Sequence, residues 1–124
     1  EGDPSGFPLF ENPLGHTWPA VWIGIAGAVM WAPICEELMI RGALFRWVRP
    51  WAKAPGTIII TGVVFGVLHP YGWQGILQVG VMGMFFGFLR EWRGSLIAPI
   101  VMHALHNGLL SMIQVLVLDV LGDK

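Results

Sequence analysis

The residues with the chemistry to catalyse a reaction are few and regularly spaced: Glu36, Glu37, Arg41, His69, His103 and Asn107. Glu37 and Arg41 stand four apart, so on a helix they meet on one face and can form an ion pair. That leaves Glu36 as the free carboxylate. His103 and Asn107 share the same spacing and the same kind of face. A free carboxylate can take a proton from water, and an imidazole can hold that water or shuttle the proton. A second imidazole and an amide N–H can stabilise an oxyanion. The set therefore suits hydrolysis by an activated water.

These residues lie in unusually apolar surroundings. Of 124 residues, 55% are hydrophobic and 12% charged, with a mean hydropathy of +0.65. Soluble domains carry about twice that charged fraction, so a membrane protein is expected, with the lipid bilayer as its main partner. The net charge of −1 argues against a nucleic-acid partner. Inside hydrocarbon an ionisable side chain costs about 2.5 kcal/mol or more, so it is paired, faces a cavity, or does chemistry. The single cysteine, Cys35, excludes an intramolecular disulfide. Residues 1–17 are acidic and rich in Pro and Gly, which reads as a loop or linker without the basic start of a signal peptide. The chain does not begin with Met, as expected of a piece of a longer polypeptide with helices upstream.

The pattern predicts an all-α, polytopic membrane bundle of about four helices, with residues 18–121 as the membrane-embedded core domain. The first helix is expected from Thr17, as N-cap, to about Val48, with Pro33 kinking it and freeing a carbonyl beside the charged pair. A turn over Pro50–Gly56 precedes a helix from about Gly56 to His69. The third is expected from Trp73 to Leu89, a turn at Glu91–Gly94, and the fourth from Ser95 to Val120. The β-branched run Thr57–Thr61 is read as helical, because in lipid only helices and closed barrels satisfy the backbone. Gly62/Gly66 and Gly83/Gly87 have the spacing of close helix packing. Arg46, Arg49, Lys53, Arg90 and Arg93 gather in two turns, which places 49–55 and 90–94 on the cytoplasmic side, expected to be that of a bacterial cytoplasmic membrane. At 1.5 Å per residue, Glu36, His69, His103 and Asn107 fall about 18, 20, 12 and 18 Å from that side. They converge on one level.

Glu36-Glu37-x-x-x-Arg41, Phe65-x-x-x-His69 and His103-x-x-x-Asn107, in this order on successive apolar helices, resemble the three motifs of the CAAX-protease and bacteriocin-processing (CPBP) family. That family includes the type II CAAX prenyl endopeptidases and the bacterial Abi proteins, and the resemblance covers about residues 30–115. It implies an intramembrane endopeptidase acting on a peptide or protein substrate, lipidated in CAAX-type processing. By motif, Glu36 would be the general base, with His69 on the water. His103 and Asn107 would polarise the carbonyl, Glu37 and Arg41 would order the site, and Phe65 would pack beside His69. The family is often labelled metalloprotease, yet a glutamate mechanism without an obligatory metal is favoured for it. No cofactor is required by the motifs; a zinc ion, if used, would take Glu36, His69 and His103.

Blander readings stand beside these. Glu36 could be a structural partner of Arg41, and His103 and Asn107 could be interhelical hydrogen-bonding residues. His69, before Pro70, could cap a helix end. His106 falls outside the motif and reads as structural. Cys35, a candidate thiol nucleophile, reads as a small buried hydrophobe. At the level of function the rivals are a non-catalytic immunity or scaffold protein of the same fold and a proton- or ion-translocating bundle.

Overall fold

The computed structural model of the chain describes residues 18–122. Helical hydrogen bonding runs from α1 (Trp18–Ala26) through a π-helical stretch, π1 (Gly27–Trp31), into α2 (Ala32–Glu37). A second π stretch, π2 (Leu38–Leu44), leads into α3 (Phe45–Val67), followed by α4 (Trp73–Arg93) and α5 (Ile97–Gly122). The described residues contain no strand, and Thr57–Thr61 is helical. Thr17 and the 1–17 loop lie outside the described residues.

The count of about four helices is not confirmed: the described residues form three helical runs, and the expected 50–56 turn is reduced to a kink between two helical segments of the first run. The break there is confined to Lys53, whose φ of 55° and ψ of −178° are non-helical. Pro55 follows two residues later, in the first turn of the resumed helix, where its missing N–H is no loss. The expected turn at Glu91–Gly94 is likewise helical as far as Arg93. Gly94, in the left-handed conformation at φ 63°, stops the helix, and its N–H bonds to the Arg90 carbonyl. Glycine is the residue that takes this C-terminal position without a Cβ penalty. α3 ends at Val67 rather than His69, and the His69 N–H caps it on the Gly66 carbonyl at 3.1 Å.

The burial pattern is inverted relative to a soluble domain. Glu37, Arg41, Thr57, Thr61, His103 and Ser111 are buried, whereas Trp31, Met39, Leu105 and Leu116 face outward. Two segments, Pro19–Val67 and Ile97–Val117, are long and apolar enough to cross a membrane, and only 17% and 11% of their most apolar windows are buried inside the protein. A core helix of a soluble protein would be mostly buried. Lipid is the solvent these faces suit, and the chain is a membrane protein.

α3 and α4 pack face to face through small residues. A Cβ on Gly66 would come within 2.5 Å of the Ile76 carbonyl and 2.9 Å of the Gly80 backbone. Gly62 meets the Met84 and Gly80 backbone in the same way. Such close backbone approach is the packing mode of helices in lipid. Above this seam, Ile40, Phe65, Phe86 and Leu89 form a small apolar core beside the polar residues.

Candidate active site

The buried half of the site is built around Glu37, whose side chain has no exposed surface. Its Oε1 accepts from Arg41 Nη1 at 3.1 Å, one helical turn on, and from His103 Nδ1 at 3.1 Å, across from α5. Arg41, also fully buried, donates from Nη2 to the Gly83 carbonyl at 2.5 Å. Its guanidinium lies 4.5 Å from the Phe65 ring centroid and 5.6 Å from that of Phe86. Gly83 makes this possible: a Cβ there would stand 3.1 Å from Arg41 Nη2 and 3.0 Å from Phe65.

Glu36, the neighbour of Glu37, is a third exposed, with 34% of its side chain accessible. Its Oε2 lies 3.9 Å from His69 Nε2 and 3.7 Å from His103 Nε2. Both imidazoles are oriented through their other nitrogen. His69 Nδ1 is 2.8 Å from the Phe65 carbonyl, which can only accept, so the proton sits on Nδ1 and Nε2 presents its lone pair to Glu36. His103 Nδ1 donates to the Glu37 carboxylate, which orients the second ring with its Nε2 toward Glu36. Phe65 packs against both rings, with centroids 4.8 Å from His69 and 5.6 Å from His103. Phe86 stacks on His103 at 4.8 Å.

Asn107 enters through the irregular backbone of π1. Ala32 N–H bonds the Gly27 carbonyl, five residues back, so the Ala28 carbonyl loses its α-helical donor. The next residue in line is Pro33, which has no N–H. Asn107 Nδ2 fills that vacancy, donating to the Ala28 carbonyl at 2.8 Å. Pro33 thus does free a carbonyl, but one on the preceding turn, and a side chain of α5 claims it. π2 repeats the device. Phe45 N–H bonds the Ile40 carbonyl, the Arg41 carbonyl loses its donor, and Arg90 Nε donates to it at 3.3 Å. Helical carbonyls left unpaired are costly when buried, so each π stretch is tied to a neighbouring helix by a polar side chain.

Glu36, Glu37, Arg41, Phe65, His69 and His103 are therefore in one cluster, with Asn107 attached to the adjoining stretch of the first run. His106 is half-buried and has no hydrogen-bond partner among the described residues, and Cys35 is a free, half-buried thiol. Among the described residues no group of three or more His, Cys, Asp or Glu side chains is placed to hold a metal ion. Sequence reasoning did not find Phe86, the Gly83 carbonyl, Arg90 or the Ala28 carbonyl. Only Arg90 left a signal, and as a cation it was read for topology alone.

The arrangement can hold an activated water between a carboxylate and two imidazoles, next to a buried ion pair that positions one of them. A family model described as type II CAAX prenyl endopeptidase Rce1-like matches residues 17–109 of the chain. No curated protein and no solved structure matches it significantly.

Proposed function

Because the chain belongs to the type II CAAX prenyl endopeptidase Rce1-like family, a family of intramembrane CAAX-type proteases, we propose that it hydrolyses a peptide bond with a water activated by Glu36. The observation that carries this reading is that one partly exposed carboxylate oxygen, Glu36 Oε2, faces the Nε2 atoms of both His69 and His103. A water about 2.8 Å from Glu36 and from His69 fits between groups at that separation. It would give one hydrogen to each and direct its lone pair at the substrate carbonyl.

The proposed reaction then balances simply. Glu36 takes the water proton as the oxygen bonds to the carbonyl carbon, and His103 Nε2–H with the second Asn107 Nδ2 hydrogen receives the developing oxyanion. His103 donates from Nε2 when its ring carries both protons. In that state Glu36, Glu37, Arg41 and His103 sum to zero charge. Collapse breaks the C–N bond, and Glu36 returns its proton to the leaving amine. Glu37 and Arg41 touch no reacting atom and act as positioning residues for His103. No step is routed through a metal.

The substrate class proposed is a CAAX-type peptide, prenylated near its C-terminus, or a comparable peptide or bacteriocin precursor lying at the membrane. The chain would be multi-pass, with the break at Lys53 separating two of four membrane segments and the 49–55 and 90–94 stretches on the cytoplasmic side of a bacterial membrane. The inward polar residues and outward apolar ones support the membrane setting. The test is a comparison of the proteome of cells carrying the intact protein with that of cells carrying Glu36→Gln and His69→Ala. Substrates should persist uncleaved in both variants; normal processing in both would end the protease reading.

A further inference from the structure

We propose that the pocket between α3 and α4, at the end of the bundle away from Tyr71, binds a phosphate-bearing anion presented by an anionic lipid headgroup. The cavity has a volume of about 420 Å³, and its lining includes Phe45, Arg46 and Arg49 from α3 and Arg90 and Glu91 from α4. Small-molecule sites commonly occupy about 300–1,000 Å³.

Three guanidiniums face one carboxylate here, so the pocket keeps an excess of positive charge. Arg49 is engaged in a forked pair with Glu91, at 2.7 Å from Nη2 and 3.0 Å from Nε. Arg90 spends only its Nε on the Arg41 carbonyl, and its terminal nitrogens have no hydrogen-bond partner among the described residues. Arg46 is exposed and, among the described residues, has no ion-pair partner. Guanidinium forks match the geometry of phosphate oxygens and are weakly hydrated enough to bind them at an interface.

The depth of the pocket selects the source of the phosphate. Trp47, Trp51 and Trp92, next in sequence to the lining residues Arg46, Pro50 and Glu91, are 71%, 59% and 66% exposed. Tryptophan is enriched at headgroup level in membrane proteins, and three of them beside two basic helix segments place the pocket where lipid phosphates lie. Simple snorkelling would explain arginines near helix ends, but not their convergence from two helices on one cavity. Basic pockets between membrane helices are sites of headgroup recognition. The inference stands apart from the proposed proteolysis, since it requires only the membrane setting.

The test is native mass spectrometry of the full chain released from vesicles of equal parts phosphatidylcholine and phosphatidylglycerol. Phosphatidylglycerol should be retained selectively. Arg46→Gln should lower its retention about fivefold, and Arg46→Lys should keep most of it. Glu91→Gln should raise retention severalfold by releasing Arg49, an effect that a merely damaged fold would not give. Adding inorganic phosphate separates the sources: lipid that stays bound identifies the headgroup, and lipid displaced at millimolar phosphate identifies a soluble phosphate. Equal retention of phosphatidylcholine, or retention unchanged in Arg46→Gln and not raised in Glu91→Gln, would overturn the proposal.

Discussion

Replacing Glu37 with Gln should unbalance the interior of the protein more than any other isosteric change. Arg41 has no exposed surface, and Glu37 Oε1 is its ion-pair partner at 3.1 Å. The Gly83 carbonyl and the Phe65 ring supply a dipole and a quadrupole to the guanidinium, but no compensating charge. Breaking a buried pair from one side costs about 3–5 kcal/mol. That lowers the folded-to-unfolded ratio by roughly two to four powers of ten, a large share of a typical total stability of about 5–15 kcal/mol. Thermal unfolding in a mild detergent, followed by tryptophan fluorescence, should show a Tm lowered on the order of 10 °C. The double variant Glu37→Gln/Arg41→Met removes both charges and should recover part of that loss, because no unpaired ion remains. Cleavage should stay low in both, since His103 Nδ1 no longer faces a carboxylate. A Tm for Glu37→Gln within a few degrees of the parent, or a double variant less stable than the single one, would refute the reasoning.

Other outcomes are equally specific. Gly66→Ala should destabilise the protein by about 1–3 kcal/mol, because the new Cβ meets α4 backbone under 3.0 Å, while Gly87→Ala, with contacts at 3.5 Å or more, should be tolerated. Chemical denaturation of both variants distinguishes them. Asn107→Leu leaves the Ala28 carbonyl without its donor, which should cost about 1–3 kcal/mol. Asn107→Asp should be at least as harmful, since a carboxylate facing a carbonyl oxygen sets acceptor against acceptor. Glu91 lies outside the membrane segments, and the Arg49 hydrogen bonds hold its carboxyl below its ordinary value of 4.5. A carboxyl lowered on folding stabilises the protein above that ordinary value, and the stabilisation disappears as pH falls through the lower, folded value. Stability of the parent over Glu91→Gln should therefore be present at neutral pH and vanish in acid; a difference independent of pH would contradict the assignment.

Much of the site was legible because helix spacing and membrane depth are simple arithmetic. Four-residue spacing foretold the Glu37–Arg41 pair, and counting residues from the basic ends brought Glu36, His69 and His103 to one level. Other features depend on contacts that spacing does not encode. The π stretches arise where backbone donors shift by one residue, and they become tenable because Asn107 and Arg90, more than forty residues away in sequence, donate to the freed carbonyls. The 50–56 turn was inferred from Pro and Gly, yet Pro50 and Pro55 sit in helical backbone and the non-helical conformation is confined to Lys53. A turn was expected over Glu91–Gly94, but the helix runs on to Arg93 and Gly94 ends it. Gly80 was missed because it has no glycine partner four residues away in α4, and its role appears only when α3 lies against it.

The central claim is that the Glu36 carboxylate activates the hydrolytic water. Its most direct measurement is the rate at which the purified protein, reconstituted in lipid, cleaves a farnesylated CAAX-type peptide, compared with Glu36→Gln of the same thermal stability. The glutamine keeps the shape but cannot take the proton, so the rate should fall by about 10²–10⁴-fold. A Glu36→Gln rate within tenfold of the parent would contradict the account.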